Sequence, residues 1–582
     1  VKLDRSGLLA DRGLTGAAWC EQHARLVDEW LVALFDAAGH SASGGSGVAL
    51  VAVGGYGRSE LCPASDIDLM LVHDKRTNVR ELADRLWYPI WDEGLKLGHS
   101  VCTVGQALKL ASGDLDTATA LLSARCIAGD RAIAGELGER ARGQWQNGAR
   151  RWLTDLGRRI DERHANAGEV AFLLEPDLKE GRGGMRDVHG LRWAEAAHRV
   201  LFANDEPALD DAYDVLLDVR VELQRSTGRA LNVLTLQDRM PVAEALGDSS
   251  PEELMGRIAE AARSIAWMSD DTWRRVRSSL QGPRGRGGGG SRVVADGVVE
   301  RDGEIHVDDE VVRRRDPLLV LRVACASAAR DLPIERATLD RLGAAQAALP
   351  EPWPREARVL FEELLLFGRP TIGVVEALDH HGLWQPLVPE WSNVRSRPQH
   401  NPYHRFTVDR HLLETASALA STVERPDLLA LAALLHDLGK IGSRDHSEVG
   451  VELARVVGER IGCSPDDIDV LQGLVRDHLL LSDVASRRDL DDMATIDLVA
   501  KAVGTAEVLH LLAALTEADA KATGPTAWTP WKADLVGALV LRVDARLNGD
   551  PLPAARTPSV RDEDLEALEP GRNRISAEDN LV

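Results

Sequence analysis

Residues 47 to 73 read GVALVAVGGYGRSELCPASDIDLMLVH. Val48 to Val53 is a short apolar run of the length of a buried strand. It breaks at Gly54-Gly55, and Gly57 follows one residue later. A second apolar run, Ile67 to Val72, has Asp66 just before it and Asp68 within it. Side chains on a strand alternate faces, so Asp66 and Asp68 point the same way, about 7 Å apart along the backbone. Two carboxylates held side by side repel unless a cation lies between them, and Mg²⁺ is the hard cation that oxygen ligands suit. The Gly-Gly turn brings bare backbone N–H groups near the same spot, where a phosphate can approach closely. The stretch predicts metal-assisted phosphoryl or nucleotidyl transfer, with Asp66 and Asp68 as catalytic metal ligands.

Asp-x-Asp alone is common on solvated strand ends. Gly-Gly, then Arg58, then Ser65-Asp66-Ile67-Asp68 opening an apolar strand is more specific, and resembles the nucleotidyltransferase superfamily of polymerase β. That resemblance implies two Mg²⁺ ions on Asp66 and Asp68 bridging the nucleotide phosphates, with Gly54, Gly55, Arg58 and Ser65 on the nucleotide. The superfamily usually adds a third carboxylate on a later strand. Here the next strand, Leu97 to Val104, offers His99, Ser100 and Cys102 but no acid, and Asp92, Asp114 and Asp116 sit elsewhere. The third ligand is left open.

At 582 residues the chain has room for three or four domains on a prior of about 150 residues each. A net charge of −23 argues against nonspecific nucleic-acid binding, which needs a basic surface, and against an anionic membrane. The first residues lack a signal pattern, and no uncharged apolar stretch is long enough to span a bilayer. Six cysteines without Cys-x-x-Cys spacing read as reduced thiols of a cytoplasmic protein.

The expected fold class is α+β: a polymerase β-like domain (1–140, with an N-terminal helix over 8–38), a helical domain (141–280), a Gly-rich linker with a β-hairpin (281–316), an all-α domain (317–545) and a disordered acidic tail (546–582). Within the first two domains, Arg80 to Trp91, Gln106 to Gly129 and Gly143 to Gly168 read as helical. The stretch LLEPDLKEGRGGMRDVHGLRW (173–193) sets Lys179, Arg182 and Arg186 around Gly181, Gly183 and Gly184, ahead of an amphipathic helix. Cations and exposed amides before a helix suit a triphosphate; a structural glycine turn with salt-bridged arginines fits as well. Arg292 to Val307 alternates around Asp302-Gly303, the pattern of one hairpin.

A second cluster spans residues 400 to 519. His404 and His411 lie seven apart, nearly one face of a helix. The apolar run Leu428 to Leu435 ends in His436-Asp437-Leu438-Gly439-Lys440, and His446, His478 and Asp519 follow. A His-Asp pair at the end of a buried helix is costly without a metal or partner. Imidazoles and carboxylates in this order suit a divalent ion (Mg²⁺, Mn²⁺ or another transition metal) that activates water. The cluster resembles the HD phosphohydrolase superfamily. That resemblance implies His411, His436, Asp437 and Asp519 as core metal ligands, His446 and His478 extending to a second metal, and His404 on phosphate. Lys440 is expected to steady a transition-state oxyanion.

Taken together, GGYGRSELCPASDIDLM, WDEGLKLGHSVCT, EPDLKEGRGGMRDVHGLRW, NPYHRFTVDRH, LLHDLGKIGSRDHSEVG, and LTEADAKAT before WTPWK run in one order from about residue 50 to 532. The chain is similar in this to the bifunctional uridylyltransferase/uridylyl-removing enzymes of the nitrogen regulatory protein PII. The resemblance implies UMP transfer from UTP to a PII tyrosine and hydrolysis of uridylyl-PII, in control of nitrogen assimilation. The cations of 173–193 put Lys179 and Arg186 among the expected nucleotide contacts. UTP and ATP are not told apart by the site, so adenylyl transfer to PII is an alternative. An RNA nucleotidyltransferase with an HD domain, disfavoured by the acidic charge, and a non-catalytic nucleotide sensor are others. Family members carry two C-terminal ACT domains, and the roughly 50 residues after Lys532 are too few for one on a domain-size prior, so the expectation is a chain without them.

Overall fold

The computed structural model describes residues 2–39, 47–75, 79–281, 291–345, 347–399, 404–419, 423–441 and 445–553. Most of the expected linker (282–290), most of the expected tail (554–582), and residues 400–403 and 442–444 of the two later motifs lie outside them.

Strands β1 (Val48–Ala52) and β2 (Ile67–His73) form where the apolar runs predict, and pair antiparallel with Ala52 opposite Leu69. Every residue of β1 is buried, because helices cover both faces of the sheet. On one face Val48, Leu50 and Leu71 pack with Trp30, Leu31 and Phe35 of the helix Gly16–Ala37. On the other, Ala49, Val51 and Val72 join a core shared with the helices Val104–Ala111, Arg131–Asn147 and Met185–Ala197. Strand β3 (Leu97–Cys102) runs parallel beside β2, and β4 (Arg125–Gly129) antiparallel beside β1, giving the order β3-β2-β1-β4.

Strand β4 corrects the expectation that 106 to 129 is helical. The segment divides at Gly113 into the helices Val104–Ala111 and Leu115–Leu121 and then turns into β4. Five residues, RCIAG, are too few to show a period; the edge of β1 supplies the backbone partners that make them a strand. The N-terminal region likewise divides, into Ser6–Ala10 and Gly16–Ala37. The helix Arg131–Asn147 runs through residue 140, so sheet and helical region share one core rather than meeting at a linker.

Beyond residue 291 the expected single hairpin is a three-stranded meander: β5 (Arg292–Ala295), β6 (Val298–Arg301) and β7 (Glu304–His306). It turns at both Gly297 and Asp302-Gly303, where all three residues have positive φ. Val298 and Ile305 anchor it in the core of the helical C-terminal half. There the helix Pro426–Leu435 is apolar all round because it is buried all round, Leu428 to Leu435 without exception. Among the described residues no single helix is long and apolar enough to cross a membrane.

Residues 168 to 187 join the two halves. Phe172 and Leu174 pair with the backbone ahead of the helix Val408–Ser417: Thr407 N–H donates to the Phe172 carbonyl (2.9 Å), and Leu174 N–H to that of Arg405 (3.2 Å). Further along, Leu178 N–H donates to the Asn232 carbonyl (2.9 Å). Gly183 has φ +81°, and a Cβ there would lie 2.4 Å from the Ala262 carbonyl oxygen. Gly183→Ala therefore combines backbone strain with a backbone clash. It is expected to cost about 3 kcal/mol, seen as a lower first unfolding midpoint by calorimetry.

Candidate active sites

The start of β2 turns Asp66 and Asp68 into a cleft of about 680 Å³ between the sheet and the helical region. Gly54, Gly55, Arg58 and Ser65 line the same cleft, and Lys179, Arg186 and Arg220 contribute its cationic side. The structure thus brings the predicted nucleotide-binding residues together. Burial and the charge of Asp66 raise the Asp68 carboxyl above the ordinary range, against the pull of Lys179. Lys179 is pushed down, by burial and then by Arg186 and Arg220. Acids and cations are each crowded with their own kind, and a cation-bearing polyphosphate would relieve both.

Space around Asp68 is kept by glycine. A Cβ at Gly98, opposite it on β3, would lie 2.3 Å from Asp68 Oδ1, and one at Gly54 (φ +61°) 3.2 Å from Oδ2. Arg58 is held in place: Nε donates to Glu60 Oε2 (2.7 Å) and Nη2 to His189 Nε2 (3.2 Å). Despite burial, His189 and Arg58 hold Glu60 down to about 2. Burial, then the charge of Arg58, holds His189 down to about 3.

Strand β3 supplies no third carboxylate. The other acids lining the cleft are engaged: Glu60 as above, and Asp116 with Arg159 (2.8 and 3.0 Å). Asp114 caps the helix Leu115–Leu121 through Thr117 N–H. The two readings of 173–193 divide between its residues. Lys179 and Arg186 face the cleft. Arg182 instead pairs with Glu169 (2.6 Å) and Asp270. The amides of Gly183 and Gly184 are spent inside the turn, on Asp187 Oδ2 (2.7 Å) and the Gly181 carbonyl (2.9 Å), so they offer phosphate nothing. The following helix, Met185–Ala197, is expected to be amphipathic but is largely buried in the shared core.

The second site gathers residues from five helices and their ends. His411 comes from Val408–Ser417, His436-Asp437 from the end of Pro426–Leu435, His446 from the start of His446–Ile461, and Asp519 from Ala506–Thr523; His478 follows Pro465–Arg476. His404 lies in the loop ahead of its helix rather than on one helical face with His411, yet their rings approach to 5.4 Å. His411 Nε2 is 3.0 Å from Asp519 Oδ1 and 3.3 Å from His436 Nε2, and both imidazoles are 3.6 Å from Asp437 Oδ2. Asp437 Oδ1 faces the other way, 3.7 Å from His478 Nε2 and 3.9 Å from His446 Nε2. One carboxylate therefore joins two groups of donors.

These residues fit divalent ions. His436 Nδ1 and His478 Nδ1 contact the carbonyls of Ala433 (2.9 Å) and Val475 (2.8 Å), which leaves each Nε2 lone pair free for a metal. Asp437 Oδ1 is buried without a hydrogen-bond partner. Three triads, His404/His411/Asp437, His411/His436/Asp519 and Asp437/His446/His478, each converge within 4.8 Å. Asp437 stays ionised in spite of burial, held well below the usual carboxylate range by His436 and Lys440. Lys440 Nζ lies 2.6 Å from Asp437 Oδ2 and donates to Gln399 Oε1 (2.7 Å). Calorimetric titration of metal-free protein with Mn²⁺ is expected to show Asp437→Ala abolishing uptake at this cluster and His478→Ala removing one of two binding events.

Arg220, His189, Gly98 and Gln399 are absent from the sequence-derived site. Arg220 sits mid-helix in Asp205–Thr227 with no local motif around it, and only tertiary packing brings it to the cleft. His189 and Gly98 lie inside stretches already singled out, where the neighbouring cations and the search for an acid drew the reading elsewhere.

Three family models match the chain: a nucleotidyltransferase domain over residues 41–113, the GlnD PII-uridylyltransferase family over 153–273, and the HD domain over 408–520. The chain is 48% identical to the bifunctional uridylyltransferase/uridylyl-removing enzyme of Streptomyces coelicolor, over 95% of its length and 68% of the relative's. It is 44% identical to that of Mycobacterium tuberculosis (92% and 68%) and 36% identical to that of Corynebacterium glutamicum (83% and 70%). The chain belongs to the family of bifunctional uridylyltransferase/uridylyl-removing enzymes.

Proposed function

We propose that the chain transfers UMP from UTP to a tyrosine hydroxyl of PII in the Asp66/Asp68 cleft, and hydrolyses uridylyl-PII at the His/Asp cluster. The observation that carries the proposal is the division of the two donor sets. A carboxylate pair faces Lys179, Arg186 and Arg220 in one cleft, and a buried His/Asp set surrounds Asp437 in another place. Family membership supports UTP as donor and PII as acceptor.

In transfer, Lys179, Arg186 and Arg58 bind the triphosphate and orient the α-phosphorus toward the acceptor. The tyrosine oxygen forms the new P–O bond as the bond to pyrophosphate breaks, and the cationic wall takes up the charge that moves onto the leaving group. Asp66 and Asp68 would hold Mg²⁺, which when bound offsets phosphate charge. In removal, water attacks the phosphodiester phosphorus, the tyrosine oxygen leaves, and UMP is released. Here His411, His436, Asp437 and Asp519 would hold one divalent ion, and Asp437, His446 and His478 a second; their chemistry is Lewis acidity toward water and phosphate. Lys440 keeps one N–H beyond its two contacts, available to a phosphate oxygen, while its bond to Asp437 fixes that carboxylate.

Separate sites make separable losses. Asp66→Asn with Asp68→Asn is expected to lower transfer by on the order of 100-fold or more and to leave removal intact. His436→Ala with Asp437→Ala is expected to do the reverse. Both rates are read on PII by gel shift, with circular dichroism confirming the fold. Loss of both activities from either pair in a folded protein would sink the proposal.

A further inference from the structure

Cys20, in the helix Gly16–Ala37, and Cys62, in the loop that leads to Ser65 and Asp66, are both buried, and their sulfurs are 3.7 Å apart. They are 42 residues apart in sequence and in ordinary thiol contact. A disulfide, at about 2.05 Å between sulfurs, needs only a short closure. Cys62 has a second partner. Arg220 Nη1 donates to its sulfur at 3.0 Å, while Arg220 Nε donates to Asn232 Oδ1 at 2.9 Å. Arg220 and Asn232 both line the transferase cleft. The Cys62 sulfur is thus the buried anchor of a cationic residue in the cleft, and none of the chemistry proposed above uses it.

The environment also separates the two thiols. The hydrogen bond from Cys20, with help from Arg220 and against burial, holds Cys62 down to about 7. Cys20 is raised well above the ordinary thiol range by the same contact and by burial. The guanidinium donates to Cys62 and not to Cys20, so Cys62 is the sulfur placed to carry negative charge and attack, with the Cys20 thiol in reach to resolve.

We propose that Cys20 and Cys62 are a peroxide-sensitive thiol pair whose disulfide releases Arg220 and slows nucleotidyl transfer. The Cys62 thiolate attacks one oxygen of hydrogen peroxide, the O–O bond breaks, and hydroxide leaves to take up a proton as water. Cys20 sulfur then attacks the resulting sulfenic acid, its proton leaves with the hydroxyl as a second water, and the disulfide remains. Two thiols and one peroxide give one disulfide and two waters. Closing the 3.7 Å gap draws the Cys62 sulfur toward Cys20 and away from Arg220, and ties the loop leading to Ser65 and Asp66 to the first long helix. The bond stands apart from the function proposed above; its effect on transfer rests on that reading.

The test treats the full chain with hydrogen peroxide, alkylates remaining thiols and maps the digest by mass spectrometry, with transfer to PII measured in parallel. The expected result is a peptide linking Cys20 to Cys62, at least a fivefold fall in transfer with removal unchanged, and recovery of both thiols and rate with dithiothreitol. Cys20→Ser and Cys20→Ala are expected to show no linked peptide and to keep their transfer rate through the treatment. Separate alkylation of Cys20 and Cys62 in treated, folded protein would overturn the pair. So would an undiminished transfer rate in protein carrying the linked peptide, or an equal loss in the Cys20 variants. Absence of transfer in the reduced protein would instead refute the function, and the linked peptide would still decide the bond.

Discussion

The Glu169 carboxylate lies between two arginines, Arg182 at 2.6 Å and Arg410 at 2.6 Å, and the placement of both sites depends on that bridge. Arg182 belongs to the turn that aims Lys179 and Arg186 into the transferase cleft. Arg410 directly precedes His411. Glu169 stays ionised against its burial because Arg410 and Arg182 hold its carboxyl down. Arg263 extends the network, pairing with Asp379 (2.9 Å) and with Asp409, one residue before Arg410. Buried ion pairs add little net stability, but removing one partner strands a charge. Their effect here is to fix geometry: residues 168 to 187 are held by charge at Glu169 and Arg182, and by backbone pairing at Phe172, Leu174 and Leu178. A segment with no helix or strand of its own before Met185 can then position side chains for chemistry.

The two donor sets differ as their proposed tasks differ. The Asp66/Asp68 pair of the transferase cleft offers carboxylate oxygens, the preference of hard ions that travel with phosphates. The second site is rich in imidazole, which suits ions that bind more tightly and stay. Its ligands come from helix ends and interiors packed around one buried apolar helix, so the donors are fixed by a core. Asp66 is exposed at the mouth of its cleft and Asp68 half-buried, where a nucleotide can enter and leave.

Much of this was legible in the sequence where the signal is local. The apolar runs that became β1 and β2, the carboxylates beside them, and the all-apolar helix ending in His436-Asp437 each depend on neighbours within a few residues. What could not be read depends on distant partners. RCIAG became β4 only because β1 had a free edge, and Arg182 turned from phosphate to structure because Glu169 and Asp270 reached it first. The amides of Gly183 and Gly184 looked available to an anion until Asp187 and Gly181 took them. Arg220 carries no motif, and its position is a property of the helix packing. The place expected for a third acid on β3 is occupied by glycine and serine, with Gly98 required by the close approach of Asp68.

The central claim is that the Asp66/Asp68 cleft moves a nucleotide onto PII. Its most direct test is the intact mass of the PII partner after incubation with the chain, Mg²⁺ and either UTP or ATP. The account predicts a gain of one UMP per PII subunit with UTP. A gain of AMP with ATP alone would keep the chemistry and overturn the donor. No gain with either nucleotide, from folded protein whose His/Asp cluster is metal-loaded, would contradict the account and leave hydrolysis as the only activity to assign.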